Sequence, residues 1–244
     1  IETRPDTITP ENLRMFRQLG CTKIQIGIQS TRQEILDVNK RQMPVAQIKR
    51  AFSLIRLYGF KIHSHLMVNL LGATPEADKQ DFKTFVTDPG FLPDEIKLYP
   101  CALVSGTQLV QKYREGAWQP YAKDELVDVL VQDVLNTPPY VRISRMIRDI
   151  SATDILVGNK HTNLRQMVEH ELAAKDVARR VQEIRFREIN QQQVHAAELT
   201  LQDFTYTTAV SDEHFLQWVT ADNKIAGFCR LSLPHWDKLT SGAC

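Results

Sequence analysis

The sequence predicts an α/β fold whose first hundred residues are later strand–helix units of a βα barrel, entered partway through. Three observations carry that expectation. Apolar helical stripes alternate with short strands, as parallel strands covered by helices require. Each helix has its own start and stop residues. The strands place apolar side chains on one face and polar ones on the other.

The helices come first in that case. Thr9 caps a helix that has Pro10 at its first position and ends at Gly20, with Leu13, Met15, Phe16 and Leu19 as its apolar side. Ser30 and Gln33 have capping-box spacing for a short helix. After Pro44, residues Ile48, Ala51, Phe52 and Ile55 recur at helical spacing, and Gly59 closes that helix. Thr74-Pro75-Glu76 opens the next one, with Phe82, Phe85 and Val86 facing inward.

Between the helices, residues 23–30 set Ile24, Ile26 and Ile28 against Gln25, Gly27 and Gln29. Residues 61–70 place His63, His65, Met67 and Asn69 on one face, and residues 95–99 oppose Ile96 and Leu98 to Glu95, Lys97 and Tyr99. Glu2 and Arg4 repeat the pattern in the opening fragment. A closed barrel fills its interior with Val, Ile and Leu layers. A polar lumen therefore implies an open or wide barrel around a polar ligand. His63 and His65 could both face a metal, although hydrogen bonding is the more economical use without a third ligand in reach. A lysine in such a lumen, Lys97, needs an anionic partner or a shifted pKa.

Residues 101–136 read as helical, with Gly116 between two helices. Residues 140–148 read as a strand with Arg142 and Arg148 on one face and Arg145 on the other, either a salt-bridged edge or a phosphate-binding patch. Lys160, His161 and Arg165 follow at a loop and helix start that would also favour an anion. Residues 169–183 read as a polar helix, and 183–189 as a strand opposing Arg185 and Arg187 to Ile184 and Phe186. The chain then turns to β structure, with a hairpin at Ala221-Asp222-Asn223-Lys224. It carries no Gly-rich pyrophosphate loop. The expected divisions are a barrel part over 1–150, a connection over 151–194 and the start of a second domain over 195–244.

Composition adds bounds. The 244 residues carry a net charge of +1, so a polyanion would need a local patch. No apolar run reaches the ~18 residues of a membrane span, and no basic-plus-apolar leader opens the chain, so a cytoplasmic protein is expected. Cys21, Cys101, Cys229 and Cys244 are scattered without Cys-x-x-Cys spacing, which suits free thiols in a reducing compartment.

Taken in order, ETRPD (residues 2–6), KIQIGIQS (23–30), HLMVNLLGAT (65–74), KLYP (97–100), PYVRI (139–143) and NLRQ (163–166) resemble the Elongator protein 3 family. The likeness is strong over residues 1–190 and weaker over 195–233. The resemblance implies a partial radical S-adenosylmethionine barrel followed by the start of an α+β acetyltransferase-like domain. It implies modification of the tRNA wobble uridine at C5 to a carboxymethyl-type product. The cofactors it implies are S-adenosylmethionine, a [4Fe–4S] cluster and acetyl-CoA. The partners are tRNA and either other Elongator subunits or a second copy, with no membrane.

Carried onto this chain, Glu2, Arg4, Gln25, Gln29 and Ser30 would meet S-adenosylmethionine. His65, Asn69, Lys97 and Tyr99 would line the substrate side, with Lys97 and Tyr99 as catalytic candidates. Arg142, Arg145, Arg148 and Arg165 would meet tRNA. The family's three cluster cysteines align before Ile1 and its coenzyme-A loop after Leu231. Val181, Ile184 and Phe186 stand in the stretch where many prokaryotic members carry cysteines. A different radical S-adenosylmethionine barrel, coproporphyrinogen-oxidase-like, and a non-catalytic tRNA-binding segment are the alternatives.

Overall fold

In the computed structural model, which describes residues 1–147, 150–151, 153–160 and 163–236, the predicted alternation of strands and helices is present. The opening strand β1 (Glu2–Thr3) leads through a 3-10 turn to α1 (Pro10–Gln18) and β2 (Lys23–Gln29). Helices α2 (Gln33–Val38) and α3 (Val45–Leu57) precede β3 (Lys61–Val68), and α4 (Pro75–Thr87) precedes β4 (Glu95–Pro100). After them come β5 (Leu103–Val104), α5 (Leu109–Arg114), α6 (Lys123–Asn136), β6 (Arg142–Arg145), β7 (Ile155–Val157) and α7 (Leu164–Ala174). Strands β8 (Thr200–Thr207), β9 (Ser211–Val219) and β10 (Ile225–Pro234) complete the chain.

The main sheet runs β1-β2-β3-β4-β6, with every pairing parallel. Local chemistry explains its helix boundaries. Thr9 Oγ1 accepts from the Asn12 amide at 3.2 Å and Thr74 Oγ1 from the Ala77 amide at 3.3 Å, each just ahead of a proline that needs no donor. Gly20 leaves α1 with φ +79°, a conformation that costs a side chain-bearing residue dearly. The outward faces of the strands, Ile24, Ile26, Ile62, Ile96 and Leu98, are fully buried against Phe52, Phe82 and Phe85 of the helices.

Several expectations are corrected. The stretch 101–136 opens with strand β5, which pairs antiparallel with β7. Ser30 is no helix cap: its hydroxyl donates to Asp81 at 2.5 Å, and α2 starts after Arg32. The arginine-rich strand stops at Arg145. The polar helix ends at Ala174, and residues 185–187 form a 3-10 turn in place of a strand. Backbone carbonyls and side-chain amide oxygens around Arg187 explain that turn. Its guanidinium reaches the Gln182 and Pro139 carbonyls, Asn223 and Gln217, and a strand would aim it outward.

The antiparallel sheet β10-β9-β8 lies on the same core as the parallel one, through Phe215, Val219 and Ile225. A buried charge cluster joins the two. Asp94, at the foot of β4, accepts from Arg56 at 3.0 Å and from Arg230 of β10 at 3.1 Å, and from the Ile62 amide at 2.8 Å. Glu213 lies 3.6 Å from Arg56. Beside it the Tyr140 and Tyr206 rings stack at 3.7 Å.

One buried group works against the fold. Asp133 on α6 is 1% exposed, and neither carboxylate oxygen has a hydrogen-bond partner among the described residues. Burial first, then Asp78 and Asp81, push its pKa well up. The folded state thus holds a proton that the unfolded chain releases, so stability falls as pH rises past the ordinary carboxylate range. Asp133→Leu is expected to gain about 1–3 kcal/mol at neutral pH. Thermal unfolding should show a larger gain at pH 8 than at pH 4.

Candidate functional site

The polar edge of each strand collects on the sheet face away from the helices. Register fixes the rows: Gln25 sits beside His63, which sits beside Glu95, which sits beside Arg142. One step along, His65 sits beside Lys97, and Lys97 beside Arg145. The foot of this face is ionic. Glu95, nearly buried, is held by Lys61 at 2.5 Å and Lys23 at 3.2 Å, with His63 Nδ1 at 3.4 Å. Burial raises the Glu95 pKa, and Lys61, His63 and Lys23 together outweigh that and keep it low.

Nearer the strand ends the groups open into a cleft of about 490 Å³ lined by Glu2, Arg4, Gln29, Arg41, His65 and Tyr99. Gly27 forms its floor. The His65 ring packs edge-on against Tyr99, with centroids 5.8 Å apart, and its Nδ1 lies 3.8 Å from Glu2. The strand β2 breaks register between Gly27 and Gln29, and Gln29 itself has φ +74°. Such strain concentrates at binding sites. It turns the Gln29 amide over Gly27, where an added Cβ would meet Nε2 at 3.0 Å and Arg41 Nη2 at 3.5 Å. Arg41 reaches in from the loop after α2 and donates to the Gly27 carbonyl at 2.9 Å. Its buried Nε has no hydrogen-bond partner among the described residues. Burial and the neighbouring Arg4 both lower its pKa.

Five predicted residues therefore meet at one cleft: Glu2, Arg4, Gln29, His65 and Tyr99. Gln25 and Lys97 pair with each other beside it, Nζ to Oε1 at 2.7 Å. That partner is a neutral amide, where an anion was one of the two alternatives the sequence offered. Ser30 is buried on Asp81. Asn69 lies beyond the end of β3 with φ +63°, and its amide is spent on the Gln119 carbonyl and the Tyr121 amide. Arg142 is bonded to Glu188, and Arg165 donates to the Ile143 carbonyl with its side chain largely buried. Arg145 is exposed, and Arg148 lies outside the described residues. His63 and His65 stack edge-on, and no group of three or more His, Cys, Asp or Glu is arranged for a metal among the described residues.

Sequence reasoning missed Arg41 and gave Gly27 no role beyond its strand face. Nothing in the local spacing around Arg41 marks it, since its partner is 14 residues upstream. Gly27 was the findable one: a lone glycine in a strand signals a bulge or a close approach.

The Radical SAM superfamily pattern matches residues 1–85, and the Radical SAM C-terminal domain pattern matches residues 93–174. The solved archaeal Methanocaldococcus infernus Elp3 with an N-terminal deletion superposes with a TM-score of 0.91 at 33% identity. That match covers 96% of this chain and 56% of the other. The chain belongs to the Elongator protein 3 family. Among its curated relatives, the tRNA uridine(34) acetyltransferase of Dehalococcoides mccartyi is 35% identical over 237 residues, 96% of this chain and 51% of the relative. Human Elongator complex protein 3 is 32% identical over 195 residues, 80% of this chain and 35% of the relative. The chain thus spans about a third to a half of the curated relatives it matches. Among the described residues, no helix of this Elongator protein 3 family member is long and apolar enough to cross a membrane.

Proposed function

We propose that this chain forms the cofactor and substrate wall of an enzyme that modifies the tRNA wobble uridine by radical S-adenosylmethionine chemistry. The product would carry a carboxymethyl-type group at C5, derived from acetyl-CoA. The observation that carries the reading is the cleft over Gly27, which gathers a carboxylate, two guanidiniums and two aromatic rings on the polar face of the sheet.

Those donors suit S-adenosylmethionine. Glu2 can accept from ribose hydroxyls, and Arg4 and Arg41 can hold a carboxylate through charge-assisted bonds. Gly27 leaves room over the strand for the Gln29 amide and the Arg41 guanidinium, which a Cβ would crowd. When bound, S-adenosylmethionine and a [4Fe–4S] cluster supply a radical that abstracts hydrogen from carbon. The described residues present no ligand set for the cluster, so this chain's part lies elsewhere. His65 and Tyr99 line the cleft, and Gln25 holds the Lys97 ammonium over the middle of the sheet. A nucleotide drawn out of its strand would meet those groups. In the same proposal, β8–β10 begin the acetyl-CoA domain, and the buried Asp94 cluster fixes it against the barrel.

The test uses the full-length protein, reconstituted anaerobically with iron and sulfide and given a low-potential one-electron reductant, tRNA, acetyl-CoA and S-adenosylmethionine. Mass spectrometry of the wobble nucleoside should show a gain that requires both small molecules. A nucleoside unchanged by either one would reject the reading.

A further inference from the structure

We propose that Asn69 is a positioning residue for the cleft: it fixes the loop after β3, and that loop holds Arg41 over Gly27. The inference rests on the cofactor-wall reading above and adds what keeps the wall in shape.

Asn69 is held through all of its polar groups. It follows the last residue of β3 with φ +63°, a left-handed turn that asparagine adopts more readily than most residues. Its amide donates to Asp78 Oδ2 of α4 at 2.7 Å, and its carbonyl accepts from Trp118 Nε1 at 2.8 Å. Its Nδ2 donates to the Gln119 carbonyl at 3.2 Å, and its Oδ1 accepts from the Tyr121 amide at 3.0 Å. The Tyr121 hydroxyl closes the ring by donating to the same Asp78 oxygen at 2.8 Å. Asn69 and Asp78 are both buried, and a buried polar network with its members satisfied is stiff. An asparagine spent in this way acts on a site through what it holds.

What it holds leads to the cleft. Residues 70–73 lie against α2: at Gly72, with φ +85°, an added Cβ would stand 3.4 Å from Val38 Cγ1 and 3.6 Å from Ile35 Cδ1. Just past α2, Asn39 donates through Nδ2 to the Leu71 carbonyl at 3.0 Å. Arg41 follows two residues on, between Lys40 at φ +55° and Gln42 at φ +43°, angles that persist only where the surroundings impose them. Trp118 adds packing to the same connection. With Leu70, Ile35 and Leu103 it forms a small core separate from the main one, and Met67 of the cleft wall packs on that core. At the far end Arg41 donates to the Gly27 carbonyl at 2.9 Å, while its buried Nε has no partner among the described residues. The loop beneath the guanidinium therefore sets its aim.

Two measurements on the full-length protein test the assignment. Asn69→Gly keeps the left-handed turn and removes both side-chain bonds. Hydrogen exchange read by mass spectrometry should then be about 10-fold faster at the Asn39 and Arg41 amides, which bond to the Ile35 and Leu36 carbonyls, and unchanged along β2. In protein reconstituted with iron and sulfide, S-adenosylmethionine affinity should fall about 10-fold in Asn69→Gly and in Arg41→Gln, the scale of one charge-assisted hydrogen bond. The double variant should bind no more weakly than Arg41→Gln alone, because the two changes remove one interaction. Tyr121→Phe, which takes away only the hydroxyl on Asp78, should move exchange and affinity the same way by a smaller factor, and it carries the test if Asn69→Gly does not fold. Unchanged exchange at residues 39 and 41, or losses that add in the double variant, would overturn the assignment. If exchange rises as expected while the wild type binds no S-adenosylmethionine, Asn69 keeps its hold on the loop and the cofactor-wall reading falls.

Discussion

Asp94→Ala is expected to destabilise the protein by about 3–5 kcal/mol, the largest single effect among its polar side chains. Asp94 is 1% exposed and receives Arg56, Arg230 and the Ile62 amide together. Removing it leaves Arg56, itself 7% exposed, with Glu213 at 3.6 Å as its remaining carboxylate. The loss also frees the feet of β3 and β4 and the contact with β10, so both sheets should melt together. Arg230→Met should cost less, because Asp94 keeps Arg56. The pH dependence has a defined sign. Burial raises the Asp94 pKa, and Arg56, Arg230 and the Ile62 amide outweigh it and leave it lowered. A depressed folded-state pKa gives stability that is present above the ordinary carboxylate range and lost as pH falls through the folded value. Chemical denaturation of wild type and Asp94→Ala at pH 7 and pH 3 should therefore show the gap narrowing in acid. A gap that widens in acid would contradict the assignment.

Lys97→Met is expected to lower kcat/KM for the proposed wobble-uridine modification about 100-fold, the scale set by misplacing a reacting group by roughly an ångström. The ammonium is fixed by Gln25 at 2.7 Å across the intervening β3, so its position is set by three strands. Lys97→Arg should recover a good part of the loss, since it restores the cation, whereas Gln25→Met should raise KM by leaving the ammonium unheld. Single-turnover rates followed by mass spectrometry read both. Full activity in Lys97→Met would remove the residue from the site.

The polar face itself was legible because a strand's period of two needs no knowledge of its partners. Ile24, Ile26 and Ile28 against Gln25, Gly27 and Gln29 can be read from one segment. The caps at Thr9 and Thr74 were legible for the same reason, since donor and acceptor lie three residues apart. Where the reading left alternatives open or went astray, the partner was distant. Arg142 meets Glu188 46 residues on, and Ser30 meets Asp81 51 residues on. Asn69 shows the alternation extended one residue past the end of β3, into a left-handed turn. The slip that puts Arg145 beside Lys97 belongs to the pairing of two strands, and neither strand's sequence contains it. Family resemblance located the barrel and its ligand class. It assigned Asn69 and Ser30 to the ligand wall, whereas the structure spends both on the scaffold.

Gly27→Val tests the central claim that the cleft is the cofactor wall. The substitution suits a strand, and its Cβ meets side-chain ends, Gln29 Nε2 at 3.0 Å and Arg41 Nη2 at 3.5 Å, so the melting temperature is read first and binding is compared in the folded variant. S-adenosylmethionine binding by the reconstituted full-length protein should weaken at least 10-fold, because the added side chain pushes the Gln29 amide and the Arg41 guanidinium out of their places in the cleft. Equal affinity in wild type and a well-folded Gly27→Val variant would contradict it.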